Sequence, residues 1–274
     1  PDAGSAEMIC GGDAEVLLEY VDSGDTTLEE LFRSLMKLGE KRRSCFLFTR
    51  VSIGTGQSGP VEHLVIDDAG VTVGGFSGDE QAVGSMPPKR ILKPAQLLDM
   101  DSWDYPVFLE WLRPRGTVYI FGAGHVGECV AHLAKYVDFK VVVLDDRDEF
   151  ASFERVPDAD TVLAPDSFQG AVEDLEVDED SYLVIVTRGH AHDKTVLAQS
   201  LRSDAGYIGM IGSRRKTALI YEALIKEGFS REDLERVHAP IGLPIGGETP
   251  QEIAVSIVAE LIQMRDRKDK LRNL

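Results

Sequence analysis

The sequence predicts an α/β protein with a C-terminal Rossmann-like parallel sheet and a smaller N-terminal α+β domain. Three observations carry this reading. After Gly116, apolar runs of strand length alternate with amphipathic helical stretches, the pattern of a parallel sheet wound on both faces. The first strand of that series runs directly into Gly-Ala-Gly-His-Val-Gly, residues 122–127, as in a dinucleotide-type strand-turn-helix. Before residue 93 the pattern is different: short apolar or alternating runs are separated by glycine-bearing turns, which suits antiparallel hairpins. A chain of 274 residues is long enough for two such domains with real cores. The boundaries fall at 1–93 for the first domain, 94–115 for a linker and 116–274 for the second.

In the first domain, Met8 to Tyr20 suggests a strand interrupted by Gly11 and Gly12. The run TTLEELFRSLMKLGEK predicts a helix with Leu28, Leu31, Leu35 and Leu38 on one side. Thr27 and Glu30 have the spacing of a capping box, and Gly39 suits the helix end. SCFLFTRVSI, VEHLVIDD and GVTVGGF then read as strands. Residues 94–115 carry Pro94, Pro106, Pro114, Trp103 and Trp111 without a sustained period, so they read as a connector.

In the second domain the strands are TVYIFG, KVVVLDD, DTVLA, SYLVIVT and GYIGMIG. The helix after the glycine motif turns Val126, Val130, Leu133 and Val137 inward, and another centres on Val196 to Leu201. A last long helix opens with Thr249 as cap, Pro250 at its first position and Glu252 at its third. Its stripe is Ile253, Ile257, Val258, Leu261 and Ile262.

Composition narrows the possible partners. There are 47 acidic and 29 basic residues, a formal net charge of −18, which repels nucleic-acid backbones and anionic bilayers. No apolar stretch is long enough to cross a membrane and no signal-peptide pattern opens the chain, so a soluble, cytoplasmic protein is expected. Cys10, Cys45 and Cys129 form neither a disulfide framework nor a zinc motif. The chain begins at Pro1 and soon reaches AEMICGGDAEVLLEYV, which reads like the middle of a domain, so its first domain is expected to be incomplete.

Candidate functional residues gather after the C-terminal strands. Gly122 permits a tight turn, Gly124 lets backbone amides approach a phosphate, and Gly127 lets the helix pack close to its strand. Asp145 ends the next strand 21 positions after Gly124, where an acid could hold ribose hydroxyls. His125 stands at the helix start, where it could touch a phosphate or pack against the neighbouring loops. Arg147 could meet a 2′-phosphate or pair with Asp146 or Asp148. Arg188, His190, His192 and Asp193 follow the fourth strand; the histidines could ligate a metal or move protons, and Asp193 could cap the next helix. No metal site is expected from this pair alone. Gly212 and Ser213 precede Arg214, Arg215 and Lys216 in the first turn of a helix, where basic residues are unfavourable unless an anion is near. Arg214 is the preferred anion ligand. The loop HAPIGLPIGGETP, with Thr249, could close over a phosphate or pterin or serve only as a connector. Cys10 precedes two glycines that leave its sulfur approachable, as a nucleophile or sulfur carrier requires.

The ordered blocks MICGGDAEVLLE, YIFGAGHVG, VLDDR, VTRGHAHD, YIGMIGSRRK and APIGLPIGGETPQEIAVSI resemble the XdhC/CoxI family across residues 6–265. Members are accessory proteins that mature molybdenum hydroxylases such as xanthine dehydrogenase or CO dehydrogenase. The resemblance implies binding of the molybdenum cofactor, as molybdopterin or its dinucleotide form, support of its sulfuration and delivery to an apoenzyme. It also implies that the upstream part of the first domain is missing, where relatives carry a Gly-Ser-x-Pro-Arg stretch and a Ser-Ile-Gly-Gly-Gly segment. In this reading the glycine loop and Arg214 hold phosphate, Asp145 holds a ribose or pterin edge, and Cys10 lies near the metal or accepts sulfur. A hydroxylase apoenzyme and a cysteine desulfurase are the implied partners, and a homodimer the expected assembly. The protein then acts as a cofactor chaperone more than as a catalyst. Two other readings are an NAD(P)-dependent oxidoreductase using His190 or His192 as proton donor, and a non-catalytic adaptor docking the target enzyme.

Overall fold

The structure is a computed structural model, and it describes residues 19–22, 24–41, 43–54, 57–67, 69–76, 95–98, 107–113 and 116–272. The chain divides into two compact units, residues 1–113 and 114–274.

The N-terminal unit contains helix α1 (Thr26–Glu40) and a five-stranded antiparallel sheet in the order β3-β2-β1-β5-β4. Its strands are β1 (Cys45–Gly54), β2 (Gln57–Asp67), β3 (Thr72–Gly74), β4 (Ala95–Leu98) and β5 (Val107–Leu112). The α1 stripe packs as expected: Leu31 is fully buried against Cys45 and Val65, with Leu35 and Leu38 alongside. Its cap is Asp25, not Thr27, since the Asp25 carboxylate accepts from the N–H groups of Thr27 and Leu28 at 3.0 Å. The region 94–115 also differs from the connector read in the sequence. β5 pairs with β1 from Val107↔Arg50 to Leu112↔Cys45, and β4 pairs with β5 at the edge. Val107 and Leu109 are buried in a core with Phe48, Leu64 and Phe76, so this stretch gains its strands from non-local pairing. The proposed strand from Met8 lies almost wholly outside the described residues.

The C-terminal unit is a three-layer α/β/α fold. Six parallel strands lie in the order β11-β10-β9-β6-β7-β8. They are β6 (Thr117–Phe121), β7 (Lys140–Leu144), β8 (Thr161–Leu163), β9 (Ser181–Ile185), β10 (Tyr207–Met210) and β11 (Val237–His238). The apolar runs are continuous because both faces are covered. Val118, Ile120, Val141, Val143 and Val184 face helices α2 (His125–Tyr136) and α6 (Pro250–Arg272). Phe121, Val142, Leu144, Leu183 and Ile185 face α3 (His190–Ser200) and α4 (Arg214–Lys226) on the other side. A short helix, α5 (Arg231–Glu235), precedes β11. Ile257, Val258 and Leu261 of α6 are buried as its stripe implies, whereas Ile262 is exposed and Ala254 takes a core position.

The winding direction reverses between β6 and β9. From β6 the chain moves outward through β7 and β8, then returns to β9 on the opposite side and continues through β10 to β11. Such a switch point opens a crevice at the carboxyl ends of the strands. No described helix is long and apolar enough to cross a membrane.

Candidate phosphate-binding site at the switch point

Each glycine of the first loop has a separate physical task. Gly122 has φ +115°, and its position leaves no room for a side chain beside the carbonyl of Val186. At Gly127 an added Cβ would overlap the carbonyl oxygen of Gly122, so this residue lets α2 sit against the loop. Gly124, the N-cap of α2, has an ordinary φ of −73°, and nothing lies within 4 Å of where its Cβ would be. Neither strain nor packing requires glycine there. A bare backbone next to open space at a helix N-terminus is the arrangement that lets an anion approach the amides.

The loop between Gly122 and Gly124 is held from both sides of one peptide-bearing residue. The Ala123 N–H donates to Asp145 at 2.8 Å, and the Ala123 carbonyl accepts from Arg155 Nε at 2.9 Å. Asp145 is 1% exposed. Besides the Ala123 bond, it accepts from the Arg147 backbone at 3.1 Å and from Arg147 Nε and Nη2 at 2.8 and 2.9 Å. Burial raises the acid's pKa, but the Arg147 side-chain bond, the Ala123 N–H and the Arg147 charge outweigh it and leave it below the ordinary aspartate value. The carboxylate expected to hold ribose is therefore occupied with shaping the glycine loop. Arg147 is also reassigned: it pairs with Asp145 rather than with Asp146 or Asp148, and its guanidinium lies 3.5 Å over the Phe150 ring.

The loop after β9 runs beside the first. Val186 N–H donates to Phe121 O, and Arg188 Nη2 reaches back to Asp146 Oδ2 at 2.8 Å. His190 opens α3 and is exposed, as is His125 at the start of α2. His192 packs edge-on against Phe168, 5.6 Å between ring centres, with Nδ1 4.0 Å from Asp146 Oδ2. Among the described residues no group of three or more His, Cys, Asp or Glu is arranged to hold a metal ion. Asp193 does not cap α3, whose N-cap is Gly189. It is fully buried, accepts from the Thr187 hydroxyl at 2.7 Å and forms an ion pair with Lys216.

That pair accounts for part of the basic cluster after β10. Lys216 turns inward to Asp193 and to the carbonyl of Ile211, so it is removed from the set of anion ligands. Gly212 makes room for its stem, since an added Cβ would lie 2.9 Å from Lys216 Cδ. Arg214 and Arg215 remain exposed in the first turn of α4, whose amide at Lys216 is capped by Ser213.

Two helices at the crevice keep their first-turn amides open. Among the described residues no side chain caps α2 at Gly124 or α3 at Gly189. The Gly/Pro loop before α6 is otherwise: Thr249 and Glu252 form a reciprocal capping pair, with Glu252 also accepting from Glu248 N–H at 3.0 Å. Ser256 donates to Leu243 O and Glu260 accepts from Gly242 N–H. This loop is stitched to its own helix, which engages the N–H groups of Gly242, Leu243, Glu248 and Thr249 that were considered for anion binding in the sequence.

A different cavity of about 420 Å³ lies between α2, residues 155–158 and the first turns of α6. Cys129 lines it, but burial and the neighbouring Glu128 charge push that thiol upward, away from thiolate reactivity. Cys45 is buried in the N-terminal unit. Cys10 lies outside the described residues.

Spacing alone would not have found Asp146, Arg155 or the inward role of Lys216. The adjacent pair Asp145–Asp146 was the available signal, because two acids at the end of one strand must point to different surroundings.

Residues 118–261, more than half of the chain, match the XdhC Rossmann domain. The chain belongs to the XdhC family. Over 155 residues it is 36% identical to the uncharacterized protein YqeB of Escherichia coli, a match covering 57% of this chain and 28% of the relative. It is 31% identical over 161 residues to a Bacillus subtilis protein named as a probable xanthine dehydrogenase subunit, covering 59% and 46% of the two chains. Similarity to the Escherichia coli molybdenum cofactor insertion chaperone PaoD is 26% over 90 residues, 33% of this chain and 28% of that one. The match thus spans less than half the length of each of these relatives. A crystal structure described as a xanthine dehydrogenase from Bacillus halodurans superposes with a TM-score of 0.68 at 25% identity, over 89% of this chain and 66% of the other.

Proposed function

We propose that this XdhC-family chain is an accessory protein that receives the molybdenum cofactor as cargo and supports its transfer to a molybdenum hydroxylase. The observation that carries the reading is Gly124: a glycine demanded neither by backbone conformation nor by packing, set where open space meets an uncapped helix N-terminus. The donor set suits the cofactor's phosphate. First-turn amides of α2 and α3 supply neutral donors, and the exposed Arg188, in the loop after β9, and Arg214, at the start of α4, supply charge. Asp145 and Arg155 hold the loop in its receptive shape without touching cargo. His125 and His190 flank the space from the first residues of the two helices. When bound, the cofactor brings a redox-active metal on a pterin; the residues named here bind, orient and shelter it.

Names of relatives support the coarse role: one is a molybdenum cofactor insertion chaperone and another is named for xanthine dehydrogenase. Sulfuration, with a cysteine desulfurase as donor, enters this proposal through the family resemblance.

Protein isolated from a molybdenum-sufficient host is expected to release a fluorescent pterin after oxidation, and Gly124→Asp to abolish it while folding normally. A side chain at 124 meets open space, and its carboxylate opposes the phosphate. Pterin-free protein that still matures its target would overturn the reading.

A further inference from the structure

Two neighbouring aspartates at the end of β7 have opposite hydrogen-bonding states. Asp145 is fully engaged, held by a two-pronged Arg147 clamp and two backbone amides. The Asp146 side chain is 8% exposed, yet only one of its oxygens is engaged: Oδ2 accepts from Arg188 Nη2, while Oδ1 is buried without a hydrogen-bond partner among the described residues. A buried carboxylate oxygen left in this way is costly unless another donor comes to it.

The position of this pair gives it meaning. β7 and β9 are the two neighbours of β6, one on each side. Asp146 stands just beyond β7 and Arg188 just beyond β9, so their ion pair joins the loops flanking the glycine loop that leaves β6. It is also the weaker kind of arginine–aspartate contact, made through one N–H rather than a fork, and Arg188 is half exposed. His192 approaches the same Asp146 oxygen but stays at 4.0 Å.

We propose that the Asp146–Arg188 pair is a latch beside the phosphate cradle that a nucleoside diphosphate opens. The ligand's phosphate takes the guanidinium, and Asp146, released on that side, accepts hydrogen bonds from the ribose hydroxyls through the oxygen that now lacks a donor. The exchange satisfies both partners: Arg188 gains an anion it can grip with two N–H groups, and the carboxylate gains two hydroxyl donors. No covalent bond changes. The inference rests on the cradle reading above and adds a ligand class to it, a phosphate-bearing group attached to ribose.

The test is calorimetric titration of the full chain with inorganic pyrophosphate, ADP and 2′,3′-dideoxy-ADP. Wild-type protein is expected to bind ADP at least about tenfold more tightly than the dideoxy analogue, the range for hydroxyl bonds to a charged acceptor. Asp146→Asn should shrink that gap to about twofold while keeping pyrophosphate affinity equal or raising it, because Arg188 is freed. Arg188→Gln provides a second handle at a half-exposed position: pyrophosphate should weaken while the preference for the ribose diol persists. Equal affinity of wild type for ADP and its dideoxy analogue would overturn the latch and leave the cradle standing, provided that pyrophosphate binds and Gly124→Asp removes it. If pyrophosphate does not bind, or binds Gly124→Asp equally well, the cradle reading falls and takes the latch with it.

Discussion

The helices of the C-terminal unit begin in two different ways. α4, α5 and α6 start behind Ser213, Ser230 and Thr249, each of which accepts a hydrogen bond from an amide of its own first turn. α2 and α3 start behind Gly124 and Gly189, and among the described residues no side chain caps them. Glycine is an acceptable N-cap, but it leaves donors that must find water or a ligand. The two open helices follow β6 and β9, the strands either side of the topological reversal, and the capped ones follow strands or turns farther along. Side-chain capping thus separates helices whose first-turn amides are engaged by their own side chains from the two that flank the reversal. Local stability has been given up at two places that share one location.

The sharpest way to break this comparison lies within the glycine motif itself. Gly127→Ala places a methyl against the Gly122 carbonyl, and backbone cannot yield as a flexible side chain would. We expect a loss of about 3 kcal/mol, at the upper end of overpacking effects, measured by urea unfolding monitored through the C-terminal unit. Gly124→Ala, three residues away, should change stability by no more than about 0.5 kcal/mol, because φ is ordinary and the space is open. Equal destabilisation by the two would show that Gly124 has a packing role and would remove the main reason for assigning it to a ligand.

Next in size is Asp145→Asn. It keeps the shape but removes the charge facing Arg147, and one amide N–H would then oppose a donor; a loss of about 2 kcal/mol is expected. The pH dependence has a definite sign. The folded-state pKa of Asp145 lies below its unfolded value, so its contribution is present above the usual aspartate range near pH ~4 and is lost as pH falls through the folded value. Glu260 behaves in the same direction: burial raises it, but His238, the Tyr207 hydroxyl and the Gly242 amide bring it below the ordinary glutamate value. Thermal melts between pH 6 and 3 should therefore show wild type losing stability more steeply than Asp145→Asn. Parallel curves would mean that the Asp145 clamp is equally strong in both protonation states.

Much of the fold was legible because it is written locally. Strands β6, β7, β9 and β10 are buried on both faces and appear as unbroken apolar runs, while Thr249, Pro250 and Glu252 announce α6 within four residues. What escaped was decided at long range. β5 has Pro106 just before it and no clear period of its own, and its strand character comes from β1, more than fifty positions earlier. Lys216 looked like part of an anion-binding cluster because its partner, Asp193, belongs to another helix. In the candidate site the sequence singled out these loops but not how their two carboxylates divide. Adjacent residues at a strand end point in different directions, so Asp145 turned to the glycine loop and Asp146 to the loop after β9, a division that no spacing rule contains.

The smallest effects come from exchanging the two kinds of helix start. Thr249→Ala removes the hydroxyl that accepts from Glu252 N–H and should destabilise by about 1 kcal/mol, leaving pyrophosphate binding unchanged because the proposed cradle uses the amides of α2 and α3. Gly124→Ser is the reverse exchange. A serine there can cap α2 by accepting from an amide of its first turn, and relative to glycine this changes stability by only a few tenths of a kcal/mol. The amide so captured is no longer available to an anion, and the hydroxyl occupies space that a phosphate needs. Pyrophosphate affinity should consequently fall several-fold in a protein whose melting temperature is level with or slightly above wild type. That opposition between fold and binding is what the contrast between capped and open helices requires. If Gly124→Ser binds pyrophosphate as wild type does, the open N-terminus of α2 has no part in holding phosphate, and the difference between the two sets of helices is one of capping alone.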